Sequence, residues 1–226
     1  LVHYSTDYVF DGAGVKPWEE TDATHPLSVY GASKRAGEVA IARACAKHLI
    51  LRTSWVVGVH GNNFLKTMLR LAVERDSLRV VADQIGAPTS AELLSEVTVA
   101  LMQAMKSAEA SDSRWGTYHV AAAGETSWHG YAQYVIAGAA ARGAVLKATP
   151  STVQPIATTE YPLPAPRPAN SRLDTRKIRR TWGVTLPAWQ VGVDAILDQL
   201  FEKKSPCPNN AKASSWPVDR GRASTP

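Results

Sequence analysis

The sequence predicts an α/β fold built on a doubly wound sheet of parallel strands, and three observations carry that prediction. Short apolar runs rich in Val, Ile and Leu alternate with longer segments whose apolar residues recur at helical spacing. The links between them are short and marked by Gly, Pro, Asn or Asp. The chain of 226 residues is 45% hydrophobic and 20% charged, the balance of a folded globular protein. Strand and helix alternating in this way imply parallel strands joined by helical crossovers.

Taken in order, Val2 to Tyr4 reads as the end of a buried strand, and Phe10 to Pro26 as a loop punctuated by Gly12, Gly14 and Pro17. A helix is expected from Ser28, a suitable N-cap, to about Lys47, with Val29, Ala32, Ala36, Val39, Ala40 and Ala44 as its core-facing stripe. HLILRTSWVVG reads as one strand ended by Gly58. Asn63 to Arg75 is an amphipathic helix, LRVVADQ a strand with its exit, Ala91 to Met105 a helix, GTYHVAA a strand and Trp128 to Arg142 a helix. The proline-rich stretch from Thr149 to Pro168 is expected to be ordered but irregular. A short helix near Asp174 to Thr181 and a last one from Trp189 to Phe201 follow, and residues 205–226 read as a disordered tail.

The net charge is +5, but the basic residues are scattered. The densest run, Arg176-Lys177-Ile178-Arg179-Arg180, is expected to be a solvated helix face, so no nucleic-acid partner is expected. No apolar run approaches the roughly 18 to 20 residues needed to span a bilayer, so no membrane partner is expected either. Cys45 and Cys207 are too few for a zinc site or a disulfide framework. A soluble cytoplasmic protein fits these features.

The chemistry concentrates early. Tyr30-Gly31-Ala32-Ser33-Lys34 places a phenol and an ammonium one helical turn apart on one face, the arrangement that suits proton transfer because a nearby cation favours the phenolate. Thr6, in STD after the first strand, and Trp55, in RTSW after the next, reach the carboxyl-end rim where parallel α/β sheets hold their ligands. Each feature has a plainer reading: a surface Tyr and Lys, a Thr-Asp turn or cap, a core Trp. Their joint order favours a site.

Seven stretches, STDYVFDG, VYGASKRAGE, RTSWVVG, GNNFLKTMLRLA, VVADQIGAPTSAEL, GTYHVAAAGETSW and YPLPAPRPANSRLD, together resemble the dTDP-4-dehydrorhamnose reductase family of the extended short-chain dehydrogenase/reductases. The resemblance runs in order from Leu1 to about Leu200. It implies NADPH-dependent, or NADH-dependent, reduction of dTDP-4-dehydro-L-rhamnose to dTDP-L-rhamnose. It further implies Tyr30 as the general acid, Lys34 on the nicotinamide ribose, Thr6 beside the phenol and the sugar oxygen, Tyr4 along the cofactor, and Asp7 and Trp55 on the deoxysugar nucleotide. Some family members use Mg²⁺ at a subunit contact, where Glu92 is the matching residue, although a helix-surface role is the expectation for it; a homodimer is the corresponding partner.

On this reading residues 1–148 are the remainder of a Rossmann-like nucleotide-binding domain interleaved with substrate-binding segments, and residues 149–204 a small substrate-binding α/β region. No G-x-x-G-x-x-G or G-x-G-x-x-G turn occurs in the sequence, and such a turn is what seats a dinucleotide's diphosphate. The expectation is therefore that the phosphate loop lies upstream of Leu1 and that the chain as given is inactive. Two other readings stay open: a regulatory subunit like the beta subunit of methionine adenosyltransferase, and another nucleotide-sugar epimerase or dehydratase. The dehydratase reading is weakened by Tyr8, where a second carboxylate is usual.

Overall fold

The computed structural model describes residues 1–162 and 164–202; the tail expected over 205–226 lies outside these described residues. Its central sheet holds three parallel strands in the order β1 (Val2–Thr6), β2 (Leu49–Thr53), β7 (Gly116–His119). Every residue of β2 is buried, as expected of a central strand covered on both faces. In β1 the side chains alternate, so His3 meets α1 (Val29–Ala44) at Gly37, while the Tyr4 hydroxyl shares a 2.6 Å hydrogen bond with Thr98 of α3 (Ala91–Ala104). Helices α1 and α3 therefore cover opposite faces of the sheet.

Four helices begin at side chains legible in the sequence. Ser28, Asn63, Ser90 and Ser127 each accept a hydrogen bond from the backbone N–H three residues on, opening α1, α2 (Phe64–Glu74), α3 and α4 (Trp128–Ala141). Two further helices, α5 (Arg176–Trp182) and α6 (Trp189–Phe201), close the described fold, α5 stopping at Gly183 in the left-handed conformation. The core gathers Leu49 and Leu51 of β2, Tyr118 of β7, Leu65 and Met68 of α2, Leu93 and Val97 of α3, Val135 and Ile136 of α4, and Val193 and Ile196 of α6. Among the described residues no helix is long and apolar enough to cross a membrane.

The structure corrects three expectations. HLILRTSWVVG is broken rather than continuous: β2 ends at Thr53, Trp55 takes φ 49°, and β3 (Val56–Val57) pairs with β6 (Thr89–Ser90). LRVVADQ does not join the central sheet. Its strand β4 (Leu78–Val81) pairs in parallel with β9 (Val153–Ile156), which lies inside the proline-rich stretch read as irregular. Pro155 is tolerated there because β9 pairs with one neighbour only. A short antiparallel pair, β5 (Ile85–Gly86) with β8 (Thr126–Ser127), completes the strands.

The third correction concerns α1. Its apolar stripe is not its buried face: Val29 is 89% exposed, and Ala32, Ala36, Ala40 and Ala44 are exposed as well. The buried residues of α1 are Gly31 and Glu38. Both faces have helical spacing, and the one with a partner inside the protein won: the Glu38 carboxylate meets Arg52 of β2, and Gly31 packs against the Tyr8 carbonyl.

Candidate active site

The carboxyl ends of β1 and β2 open into a cavity of about 1000 Å³. Thr6, Asp7, Tyr30 and Trp55, four of the six residues singled out from the sequence, line it together. Parallel pairing brings Thr6 opposite Thr53, so the turns that follow both strands emerge at the same edge. Lys34 and Tyr4 stand behind that wall: the Lys34 ammonium donates to the Tyr4 backbone carbonyl.

Thr6 serves first as a cap. Its Oγ1 accepts from Tyr8 N at 3.2 Å, closing a 3-10 turn over Asp7–Val9, and donates to Asp7 Oδ1 at 3.1 Å. Asp7 is 2% exposed and its Oδ2 has no protein partner. Burial pushes the Asp7 carboxyl up to about 6, so near neutrality it titrates readily between acid and anion. Tyr30 is 54% exposed, and its ring stands edge to face with Tyr8 at 5.8 Å. Its phenol is thus held over the cavity by an aromatic contact on one side and open to solvent on the other.

Trp55 is the only non-glycine residue with positive φ among the described residues. Its indole lies flat on Trp128, and a Cβ on Gly86 would stand 2.7 Å from its Cε2, so only glycine leaves room for it. The Trp128 Nε1 donates to Gln84, whose amide donates to Thr158. The QIGAPT segment therefore builds one wall: Gln84 aims Trp128, Gly86 clears space for Trp55, and Thr89 N donates to the Trp55 carbonyl. Neither Trp128 nor Gln84 was singled out from the sequence. Both lie in stretches that carry the family resemblance, GTYHVAAAGETSW and VVADQIGAPTSAEL, but the resemblance gives neither a role, and their partners are distant along the chain.

The lining also carries three arginines, Arg75, Arg79 and Arg167: Arg167 stands close enough for its charge to act on Tyr8, and Arg79 is held by Glu160 at 2.6 Å. No role is legible for these arginines in the sequence, although Arg167 stands in the YPLPAPRPANSRLD stretch, because they come from three separate segments. The lining thus combines hydroxyls and a carboxyl, stacked indoles and arginine cations, which suits an anionic ligand with a polar head. Glu92 stands exposed in the first turn of α3, and among the described residues no three His, Cys, Asp or Glu side chains could hold a metal ion.

Comparison with known proteins places this geometry in context. Residues 1–202 match the family described as RmlD substrate binding domain. The chain is 52% identical over 201 residues to the dTDP-4-dehydrorhamnose reductase of Shigella flexneri, covering 89% of this chain and 66% of that one. It is 45% identical over 204 residues to the Burkholderia thailandensis dTDP-4-dehydrorhamnose reductase, with 90% and 68% coverage. Among solved structures, the Bacillus anthracis dTDP-4-dehydrorhamnose reductase in complex with NADP superposes with a TM-score of 0.77 at 36% identity, covering 88% of this chain and 65% of that one. A UDP-galactose 4-epimerase superposes with a TM-score of 0.65 at 20% identity, covering 89% and 63%, a likeness of fold alone. The chain spans about two thirds of the length of the curated relatives it matches.

Proposed function

The chain belongs to the RmlD substrate binding domain family, and we propose that it carries the proton-donating and sugar-binding part of a dTDP-4-dehydrorhamnose reductase acting with NADPH. In fold terms it is the carboxyl-terminal portion of a Rossmann-like doubly wound sheet with a small substrate-binding region. The observation that carries this reading is the single cavity shared by Thr6, Asp7, Tyr30 and Trp55 at the carboxyl ends of β1 and β2.

The chemistry follows from the parts. A nicotinamide nucleotide, when bound, supplies the hydride that reduces the sugar ketone at C4. Charge then develops on the sugar oxygen, and an acid within hydrogen-bond reach must meet it. Tyr30 gives that proton to O4, and its half-exposed phenol recovers one from solvent. Lys34 suits the ribose end of the cofactor: after its bond to the Tyr4 carbonyl, two N–H donors remain for ribose hydroxyls. The Tyr4 side chain turns to the α3 face and bonds Thr98, so what Tyr4 offers this site is the backbone carbonyl that seats Lys34.

Thr6 holds the 3-10 turn that presents Asp7, and Asp7 and Trp55 take the deoxysugar. Arg75, Arg79 and Arg167 are the cations of the lining available to the diphosphate. Sugar-nucleotide binding is the property on which the residues of this cavity bear most directly. Titration with dTDP-L-rhamnose, read by quenching of tryptophan fluorescence, tests this reading. Saturable quenching that disappears in Trp55→Ala supports it, and unchanged emission on adding the nucleotide refutes it.

A further inference from the structure

Helix α1 carries both Tyr30 and Lys34, yet it buries no apolar side chain completely; its buried residues are Gly31 and Glu38. Hydrophobic packing therefore does not decide where this helix sits. The work falls to directional contacts, and the tightest is a bidentate ion pair. Arg52 Nε and Nη2 reach Glu38 Oε1 and Oε2, both at 2.8 Å, with Glu38 1% and Arg52 3% exposed. Arg35 adds a third bond to Glu38 at 3.2 Å and is itself held by Thr24 at 2.8 Å. On its other side the Arg52 guanidinium lies 5.1 Å over the Phe10 ring, which is stacked on Trp18 at 4.7 Å.

The placement of the pair matters more than its burial. Glu38 follows Lys34 and Tyr30 by one and two turns on the same side of α1. Arg52 is opposite Ser5 in the sheet, one residue before the Thr6–Thr53 pair that ends both strands at the cavity. The fork thus ties the Tyr30 helix directly to the strand that leads into Trp55. A pair kept only for stability has a simple substitute, since well-packed apolar residues of similar volume do as well or better. What they cannot supply is a fixed fork geometry.

We infer that Glu38 and Arg52 are positioning residues that set Tyr30 and Lys34 over the ends of β1 and β2, an assignment that rests on the proton-donor reading of Tyr30. Neither touches the cavity. They act through the helix they anchor.

The double variant E38M/R52M tests this, because it removes both charges together and so avoids stranding one in the interior. Tyrosines labelled with ¹³C report the outcome, the Tyr30 signal being assigned by its loss in Tyr30→Phe. The expected result is a folded protein in which the Tyr30 resonance leaves the position set by the Tyr8 ring while those of Tyr118 and Tyr131 stay in place. In a complete, NADPH-loaded reductase that carries this segment, kcat falls about tenfold or more with KM for the sugar nucleotide nearly unchanged. If the double variant does not fold, R52K, which keeps the charge and loses the fork, is expected to move the same resonance by less. A folded variant with Tyr30 and kcat both at wild-type values overturns the inference. Failure of the wild-type protein to bind dTDP-L-rhamnose strikes the proton-donor reading instead, and the resonance test of the anchor stands apart from it.

Discussion

The indoles of Trp55 and Trp128 lie face to face, their ring centroids 3.7 Å apart and their planes 14° from parallel. Trp55 reaches this position only through a left-handed backbone, φ 49°, which costs a non-glycine residue on the order of 1–3 kcal/mol. The stack, worth about 0.5–1.5 kcal/mol beyond the area it buries, offsets part of that cost. Two indoles this close couple their electronic transitions, so the far-ultraviolet circular dichroism spectrum should contain an exciton couplet. Trp128→Leu and Trp55→Phe should each abolish it while leaving the helical signal intact, and Gln84→Ala should weaken it by freeing the Trp128 ring.

Two glycines of α1 are expected to respond oppositely to the same substitution. A Cβ on Gly31 would stand 2.2 Å from the Tyr8 carbonyl oxygen, so Gly31→Ala must push the helix start away from the site, at about 1–3 kcal/mol. On Gly37 the nearest atom is 3.8 Å away, and Gly37→Ala should gain about 0.5–1 kcal/mol from helix propensity. Chemical denaturation of both variants checks the contrast, and only Gly31→Ala should also lose sugar-nucleotide affinity.

Asp7 should make stability depend on pH in a definite direction. Burial raises its folded value from 3.8 to about 6, so between these values the folded protein holds a proton that the unfolded chain has lost. Its contribution is most favourable below the unfolded value and is lost as pH rises through the folded one. At about 1.4 kcal/mol per unit, the penalty near neutrality is roughly 3 kcal/mol. Asp7→Asn should therefore raise the melting temperature at neutral pH, give no gain below about pH 4, and weaken dTDP-L-rhamnose binding.

Removing the Tyr30 hydroxyl should separate binding from chemistry. Tyr30→Phe keeps the ring against Tyr8 and should leave dTDP-L-rhamnose affinity within about twofold, while turnover of a complete, NADPH-loaded reductase that carries this segment falls by about 10²–10⁴. Lys34→Met should lower turnover as well and raise KM for NADPH.

Much of the fold is legible in the sequence because its signals are local. The caps Ser28, Asn63, Ser90 and Ser127 stand directly before helical periodicity, and α6 runs over the stretch, Trp189 to Phe201, that the sequence marks out. What escaped is non-local. The buried face of α1 depends on Arg52, fourteen residues after Glu38 and on another element, so an alanine stripe with equally good periodicity looked like the core side. Strand β9 was hidden by Pro155, and the two-residue strands are too short to leave a pattern.

The site divides in the same way. Thr6, Asp7, Tyr30 and Trp55 lie beside turn or helix-start signals and meet at one cavity. Trp128, Gln84 and the three arginines carry no local mark of a role, and only the folded chain brings them to the same cavity.

Calorimetric titration of dTDP-L-rhamnose into the wild-type protein and into Arg167→Ala bears most directly on the claim that this cavity is a sugar-nucleotide site. Saturable one-to-one binding by the wild type, weakened about tenfold or more when Arg167 is removed, is the expected outcome. Heats indistinguishable from dilution in the wild type, or equal affinity in both proteins, would show that the nucleotide does not occupy the cavity where Thr6, Asp7, Tyr30 and Trp55 meet.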